Sequence, residues 1–397
     1  MAGVTDVAPY NWCGTMPVHR RLLDSDPAYA LAREAIENQT FDMGLDGPPR
    51  LETVVTIPVV VHVVWAQPAQ NVSDEQIASQ IDVLNQDFRA TNADAASVPP
   101  VWSGMVADAR VAFTLADVTR TRTSVAGFST DDAVKSAASG GADPWAADRY
   151  LNVWVCQLSG GLLGYAQFPG GPAETDGVVV LHTGFGTSGT AAAPFDRGRT
   201  ATHEVGHWLN LRHIWGDDGD GCGGDDLVAD TPNQGGPNYG RPTWPKLSCA
   251  NGPDGDMFMN YMDYTDDAAM FMFTTGQAAR MAACLAGPRS GFVSAGASGL
   301  VRRWVHVREE DSDGVEVYRP ADHPLPPARG RDGIEFRPDG TFVDLKAGPV
   351  DAPVGGAGGQ WKADAGGRLE LVGPDGSSGY DIVALDDDVL RIRPTDT

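Results

Sequence analysis

The sequence predicts an α+β protein in two parts, a mixed α/β domain with long loops followed by a small all-β barrel or sandwich. Three observations lead there. Apolar β-branched runs alternate with helix-period segments up to roughly residue 290, with neither long repeats nor low-complexity tracts. From about residue 300 the texture changes to short strands (WVHVRE, VEVYRP, GIEFRP, GTFVDL, GQWKAD, RLELVG, YDIVAL, VLRIRP) separated by DG, GG or PDG turns. Glycine and proline number 48 and 28, which demands many turns.

Taken in order, HRRLLDSDPAYALAREAIENQ (19–39) reads as a helix and FDMGLDGPPR (41–50) as a linker. TVVTIPVVVHVVW (53–65) is apolar on both faces, as a buried strand must be. In residues 73–90, Ser73 and Gln76 form a capping box, and Ile77, Ile81, Leu84 and Phe88 share one helical face. Residues 111–117, 150–158, 162–168 and 177–182 read as strands, and 131–138 as a short helix. THEVGHWLNLRH (202–213) lies on the next helix, with Val205, Trp208 and Leu209 interleaved among its histidines. Residues 214–256 are loop, and 274–285 form a helix opened by the capping pair Thr274 and Gln277.

The net charge of −24 leaves no basic face for nucleic acid or an anionic membrane surface. It suits a protein outside the cell and loops that bind calcium. No run of 18 apolar residues is present, so no membrane span is expected, and the chain is expected to be a monomer. The N-terminal stretch lacks the apolar region of a secretory signal, which stands against the extracellular reading.

His203 and His207 are four residues apart on a helix, so their imidazoles project with only ~40° of angular offset and reach one metal ion. Glu204 stands beside that face, placed to deprotonate a water whose pKa zinc lowers to ~7. His213 returns to the metal only if the helix stops and the chain turns sharply. Asn210 sits where a left-handed residue would do this, and asparagine is the least costly non-glycine residue there.

HEVGHWLNLRH (203–213), with NYMDY at 260–264, resembles the metzincin metalloproteases. HEVGHWLNLRHIWGD, DLVADTP, MNYMDYTDD and FTTGQAARM together resemble the pappalysin family over roughly residues 10–290. The resemblance implies the metzincin zincin fold, a twisted mixed sheet with an active-site helix and a C-terminal helix. It implies a pro-segment at 1–50 and a catalytic domain at 51–292; the separate β-rich stretch at 298–397 resembles small lipocalin-like barrels, with Trp304, Tyr318, Trp361 and Tyr380 expected in its core. His203, His207 and His213 would be the zinc ligands and Glu204 the general base. Met262 would be the Met-turn floor, and Tyr264 would hold the oxyanion. A peptide substrate would lie antiparallel to the strand containing Leu163, Gly164, Tyr165 and Ala166. Prokaryotic relatives favour a basic residue after the scissile bond, for which Asp266 and Asp267 are the candidate acidic groups.

The acidic loop 217–232 is rich in the oxygen ligands calcium prefers, and the resemblance places structural calcium at Asp226, Asp230 and Thr231. Cys222 and Cys249 bracket this loop, and as a disulfide they would stabilise by roughly 3–4 kcal/mol. Ala268 and Ala269 stand where the family's second bridge has its cysteine, leaving Cys156 and Cys284 as a candidate pair. Cys13 is then left over. The resemblance makes it a cysteine switch, a thiolate on zinc released by removal of the segment near Arg50. The expectation is a secreted zinc endopeptidase made as a latent zymogen. Two rivals are a zinc hydrolase of non-protein substrates and a catalytically silent zinc-containing binding protein.

Overall fold

The β-branched run beginning at residue 53 becomes β1, Val55–Trp65, in the interior of a five-stranded sheet. The structure is a computed structural model. It describes residues 12–395 apart from 46, 48, 52–53, 220, 294–299, 326–330, 338–339, 348–352, 364–367, 375 and 386–388. The expected start of the β domain at 298 and residues 1–11 lie outside the described residues.

The sheet order is β2 (Val111–Arg122), β1, β3 (Leu151–Cys156), β5 (Val178–Leu181), β4 (Gly164–Ala166). All neighbours are parallel except β4, which closes one edge antiparallel to β5. The near-continuous apolar sequence of β1 follows from this position, since both of its faces are covered. Val59 and Val61, with Val153 and Val178, pack against α3 (Asp74–Phe88) and α4 (Arg199–Trp208) through Ile81, Leu84, Ala201 and Val205. Val64, Trp154, Cys156 and Val179 join a second core that includes Val18, Leu22 and Tyr29. These come from α1 (Thr15–Ser25) and α2 (Pro27–Leu45), so the N-terminal helices are part of the core.

The single helix expected over 19–39 is two helices. Pro27 opens α2, and Asp26 Oδ1 accepts from the backbone N–H groups of Ala28 and Tyr29 at 2.9 and 3.3 Å, a cap that ends one helix and starts the next. The expected linker is helical as far as Leu45. The helix expected over 131–138 is two 3₁₀ turns, Ala133–Lys135 and Ala137–Ser139, because Asp132 is left-handed and Ser136 extended. The capping pairs Ser73–Gln76 and Thr274–Gln277 open α3 and α5 (Thr275–Ala286).

The chain forms two compact units, one ending at Gly291 and the other made mainly of Phe292 onward. The second unit is a closed antiparallel barrel. Its strands are β8 (Arg303–His306), β9 (Glu316–Pro320), β10 (Gly333–Phe336), β11 (Thr341–Ala347), β12 (Pro353–Ala363), β13 (Arg368–Gly373), β14 (Gly376–Leu385) and β15 (Leu390–Pro394). They close in the order β10 to β15, then β9, then β8. A two-stranded ribbon in the first unit pairs β6 (Tyr239–Gly240) with β7 (Tyr264–Thr265). Trp304, Leu300, Leu369 and Leu390 are fully buried inside the barrel, with Tyr318, Trp361 and Tyr380 packed against them, so the interior is side chain rather than calyx.

Candidate metal centre

Helix α4 ends at Trp208, and the sequence that follows makes a Schellman turn. The Asn210 N–H donates to the His207 carbonyl and the Leu211 N–H to the Gly206 carbonyl, both at 2.9 Å, with Asn210 at φ 74°. That turn brings His213 back to the helix. The Nε2 of His207 lies 3.1 Å from the Nε2 of His203 and 3.1 Å from that of His213. Tetrahedral zinc with Zn–N of about 2.0–2.1 Å holds its nitrogens roughly 3.3 Å apart, so this spacing fits.

The tautomers agree with the spacing. Each Nδ1 faces an oxygen at 2.7 Å: the Tyr261 carbonyl for His203, the Leu211 carbonyl for His207 and the Asp217 carboxylate for His213. Protons held on Nδ1 leave the three Nε2 lone pairs free and convergent. Burial pushes His203 down to about 3 and His207 well below its usual value, which keeps both rings neutral as metal ligation requires. The Cys13 thiol is a fourth candidate donor. Its Sγ and the histidine nitrogens all lie within 4.8 Å of one another, the one such cluster of His, Cys, Asp and Glu groups among the described residues. The donor set of three imidazoles and a thiol suits zinc.

Glu204 is buried beside this cluster. Its Oε2 accepts from the Thr15 hydroxyl at 2.9 Å and from the Cys13 thiol at 3.5 Å, while Oε1 has no hydrogen-bond partner. Burial pushes its carboxyl up to about 8, against the two hydrogen bonds. Strand β4 passes directly over it: a Cβ on Gly164 would stand 2.9 Å from the Glu204 Cγ. Met262 is fully buried under the helix, and a Cβ on Gly206 would meet its Sδ at 2.5 Å, which is why the position between His203 and His207 is glycine. The Tyr264 ring lies 4.9 Å from that of His213 and 5.7 Å from that of His203, and burial raises its phenol well above the usual value.

The edge of β4 is occupied by the chain's own N-terminal segment. The Gly14 N–H donates to the Gly164 carbonyl at 2.8 Å, and the Leu163 N–H donates to the Trp12 carbonyl at 3.1 Å. Cys13 pairs with Gly164 in parallel. The Ala166 N–H donates to the Thr15 hydroxyl oxygen at 2.8 Å, whereas the Tyr165 side chain turns into the core. Trp12 lies edge-on to Phe195 and near Tyr239 and Tyr264. Thr15, Asp217 and the Tyr261 carbonyl are functional groups that the sequence reading passes over. Asp217 had a signal, lying four residues after His213; a carbonyl has none.

Other expected residues fall elsewhere. Cys222 and Cys249 are bonded. Cys156 and Cys284 are not, a correction to the expected pair: Cys156 is buried in the Trp154–Tyr165 core on β3, and Cys284 is buried on α5. In the acidic loop both oxygens of Asp226 accept from the Thr231 hydroxyl, at 2.9 and 3.0 Å, and Oδ1 also from the Val228 N–H. Asp230 instead caps α5, accepting from the Thr274 hydroxyl at 2.6 Å and the Gly276 N–H at 2.8 Å. The two carboxylates therefore serve different partners. Asp267 lines a small cavity with His203, Glu204, Thr200 and Tyr264 and accepts from the N–H groups of Arg197 and Arg199, whereas Asp266 pairs with Arg241.

A peptidase family model described as pregnancy-associated plasma protein-A matches residues 135–286. Extracellular metalloprotease 1 of Coccidioides posadasii is 36% identical over 242 residues, covering 58% of this chain and 77% of that protein. An extracellular metalloprotease of Pyricularia oryzae is 32% identical over 290 residues, covering 70% of this chain and 90% of that protein. Among solved structures, mirolysin bound to a small compound superposes with a TM-score of 0.60 at 52% identity, covering 61% of this chain and 96% of that one. A promirolysin variant from Tannerella forsythia gives a TM-score of 0.66 at 46% identity, covering 71% and 96%. The shared sequence, the superposition and the converging histidines agree: the chain belongs to the pappalysin family of metzincins and is a metalloendopeptidase.

Proposed function

We propose that the chain is a zinc endopeptidase of protein or peptide substrates, working outside the cell and made in a latent form. The observation that carries this reading is the convergence of three Nε2 atoms beside a buried carboxylate at a sheet edge. His203, His207 and His213 would hold the ion. When bound, zinc supplies a Lewis acid that acidifies water and polarises a carbonyl.

Glu204 takes the proton of the attacking water and passes it to the leaving amine, a role open to a carboxylate beside the histidines whose Oε1 has no protein hydrogen-bond partner. Tyr264, kept protonated by burial, donates to the developing oxyanion. The peptide adds to β4 as an antiparallel strand through the backbone of Leu163 to Ala166. Buried Asp267, pushed up to about 7 by desolvation, becomes ionised when a basic substrate side chain enters its cavity.

Residues 12–15 account for latency. They run parallel to β4, the reverse of a substrate, so the Cys13 thiol rather than a scissile carbonyl faces the histidines. Thr15 occupies both the Ala166 N–H and the Glu204 carboxylate. Removing the segment near Arg50 frees all of these groups at once. Chain cleaved after Arg50 should digest casein, stop on addition of chelator and recover with zinc. Glu204→Ala should lose about 10²–10⁴-fold in rate. Activity that survives either treatment rejects the reading.

A further inference from the structure

The turn that delivers His213 is held from outside by an arginine whose counterion belongs to the N-terminal helices. Arg280, on α5, is 5% exposed; its Nε donates to the Asn210 carbonyl at 2.7 Å and its Nη2 to both oxygens of Glu37 at 2.7 Å. Glu37, on α2, also accepts from Arg33 Nη2 at 2.6 Å. The backbone ties at Asn210 and Leu211, Asn210 N–H to His207, Leu211 N–H to Gly206 and the Leu211 carbonyl to His207 Nδ1, are internal to α4 and the residues after it, and the next outside tie is the Ile214 N–H to the Met262 carbonyl. The Asn210 side chain adds nothing: it is fully buried and neither its oxygen nor its nitrogen is hydrogen-bonded.

A second arginine makes the contrast clear. Arg289 donates from Nε to the Trp208 carbonyl at 2.7 Å and stacks on the Trp208 ring. Its carboxylate partner is Asp176, which lies outside the first 50 residues. Both arginines satisfy carbonyls at the end of the ligand-bearing helix. Only Arg280 depends on a carboxylate from the segment whose removal is expected to activate the enzyme.

We propose that Arg280 is a positioning residue for the third metal ligand, His213, and that its ion pair with Glu37 couples docking of the N-terminal helices to zinc retention. The proposal rests on the reading of His203, His207 and His213 as zinc ligands. A buried guanidinium deprived of its carboxylate is drawn away from the Asn210 carbonyl towards water, and the left-handed residue loses the outside tie on its carbonyl. Because coupling is reciprocal, zinc at the three histidines in turn strengthens docking of α2.

The test uses the full chain carrying Cys13→Ala and Glu204→Ala, so that neither the thiol nor self-cleavage enters. Zinc affinity is read by competition with a chromophoric chelator, and ligand geometry by the visible spectrum of the cobalt(II) form. Arg280→Met should weaken zinc by about 10–100-fold and alter the cobalt spectrum. Glu37→Gln should weaken zinc by about 5–10-fold. Arg280→Lys, which keeps the charge but cannot reach both partners, should fall between the parent and Arg280→Met. Zinc affinity within twofold of the parent and an unchanged cobalt spectrum in Arg280→Met would overturn the positioning role. If that variant does not fold, Arg280→Lys decides the same point, and unchanged affinity in Glu37→Gln overturns the coupling. A parent chain that binds no zinc would instead reject the underlying assignment of the histidines.

Discussion

The two units of the chain are stabilised by different means. The barrel is an apolar interior of Trp304, Phe336, Phe342, Leu369, Leu371 and Leu390, with ion pairs such as Arg308–Asp332 and Arg337–Glu335 on its surface. The first unit buries charge. Arg199 pairs with Asp87 at 3.2 Å and Asp94 at 3.2 Å and donates to the Tyr261 hydroxyl at 2.7 Å, while Arg280 and Arg289 do comparable work at the far end of α4. Burial of a charge gives little net stability over an apolar pair, but it fixes direction. The helix carrying His203 and His207 is thus aimed by buried ion pairs near both of its ends.

Substitutions should separate these two modes, beginning with the largest effect. Arg199→Met should destabilise the first unit by about 3–5 kcal/mol in urea unfolding, because Asp87 is left as a buried charge without its partner. Adding Asp87→Leu should restore part of the loss. A small effect of Arg199→Met alone would remove the contrast. In the barrel, Leu369→Ala should cost about 2–5 kcal/mol through the cavity it leaves in a fully buried position. Its unfolding transition should shift while that of the first unit stays in place.

A pH effect comes next in size. Burial raises Asp226 to about 7, so between its unfolded value of about 4 and that folded value the native state holds a proton the unfolded chain has lost. Stability from this group is therefore present below pH ~4 and falls as pH rises towards ~7. Asp226→Asn should flatten that slope in thermal unfolding. Calcium bound at Asp226 would favour the ionised form, so a rise in melting temperature with calcium at pH 7, abolished in Asp226→Asn, would restore the ion expected from sequence. The smallest effect belongs to the barrel surface. Glu310→Gln, which breaks the partly exposed pair with Arg319, should change stability by less than about 1 kcal/mol.

Legibility followed sequence distance. Four-residue spacing placed His203 and His207, and the demand for a left-handed residue marked Asn210, which has φ 74°. Period-two patterning and turn dipeptides were enough to expect a β unit, although barrel closure and strand order depend on pairings that no local signal carries. The Thr15 to Glu204 hydrogen bond spans 189 residues and the Arg280 to Glu37 pair 243; each is made of ordinary surface-type residues whose importance lies only in what they meet. Cys156 and Cys284 remain unbonded for the same reason, since a cysteine count says nothing about whether two thiols are neighbours. Pro27 carries the local signal of a helix opener, and it is there that the single helix expected over 19–39 divides.

Zinc, on the function proposed, is held by His203, His207 and His213 and, before processing, by Cys13 as well. X-ray absorption at the zinc edge, recorded on the intact chain and again after cleavage at Arg50 and removal of the segment, tests it most directly. The intact chain should show three nitrogen neighbours at about 2.0–2.1 Å and one sulfur at about 2.3 Å, and the processed chain nitrogen and oxygen only. A spectrum without sulfur in the intact chain, or with the same neighbours before and after cleavage, would contradict it.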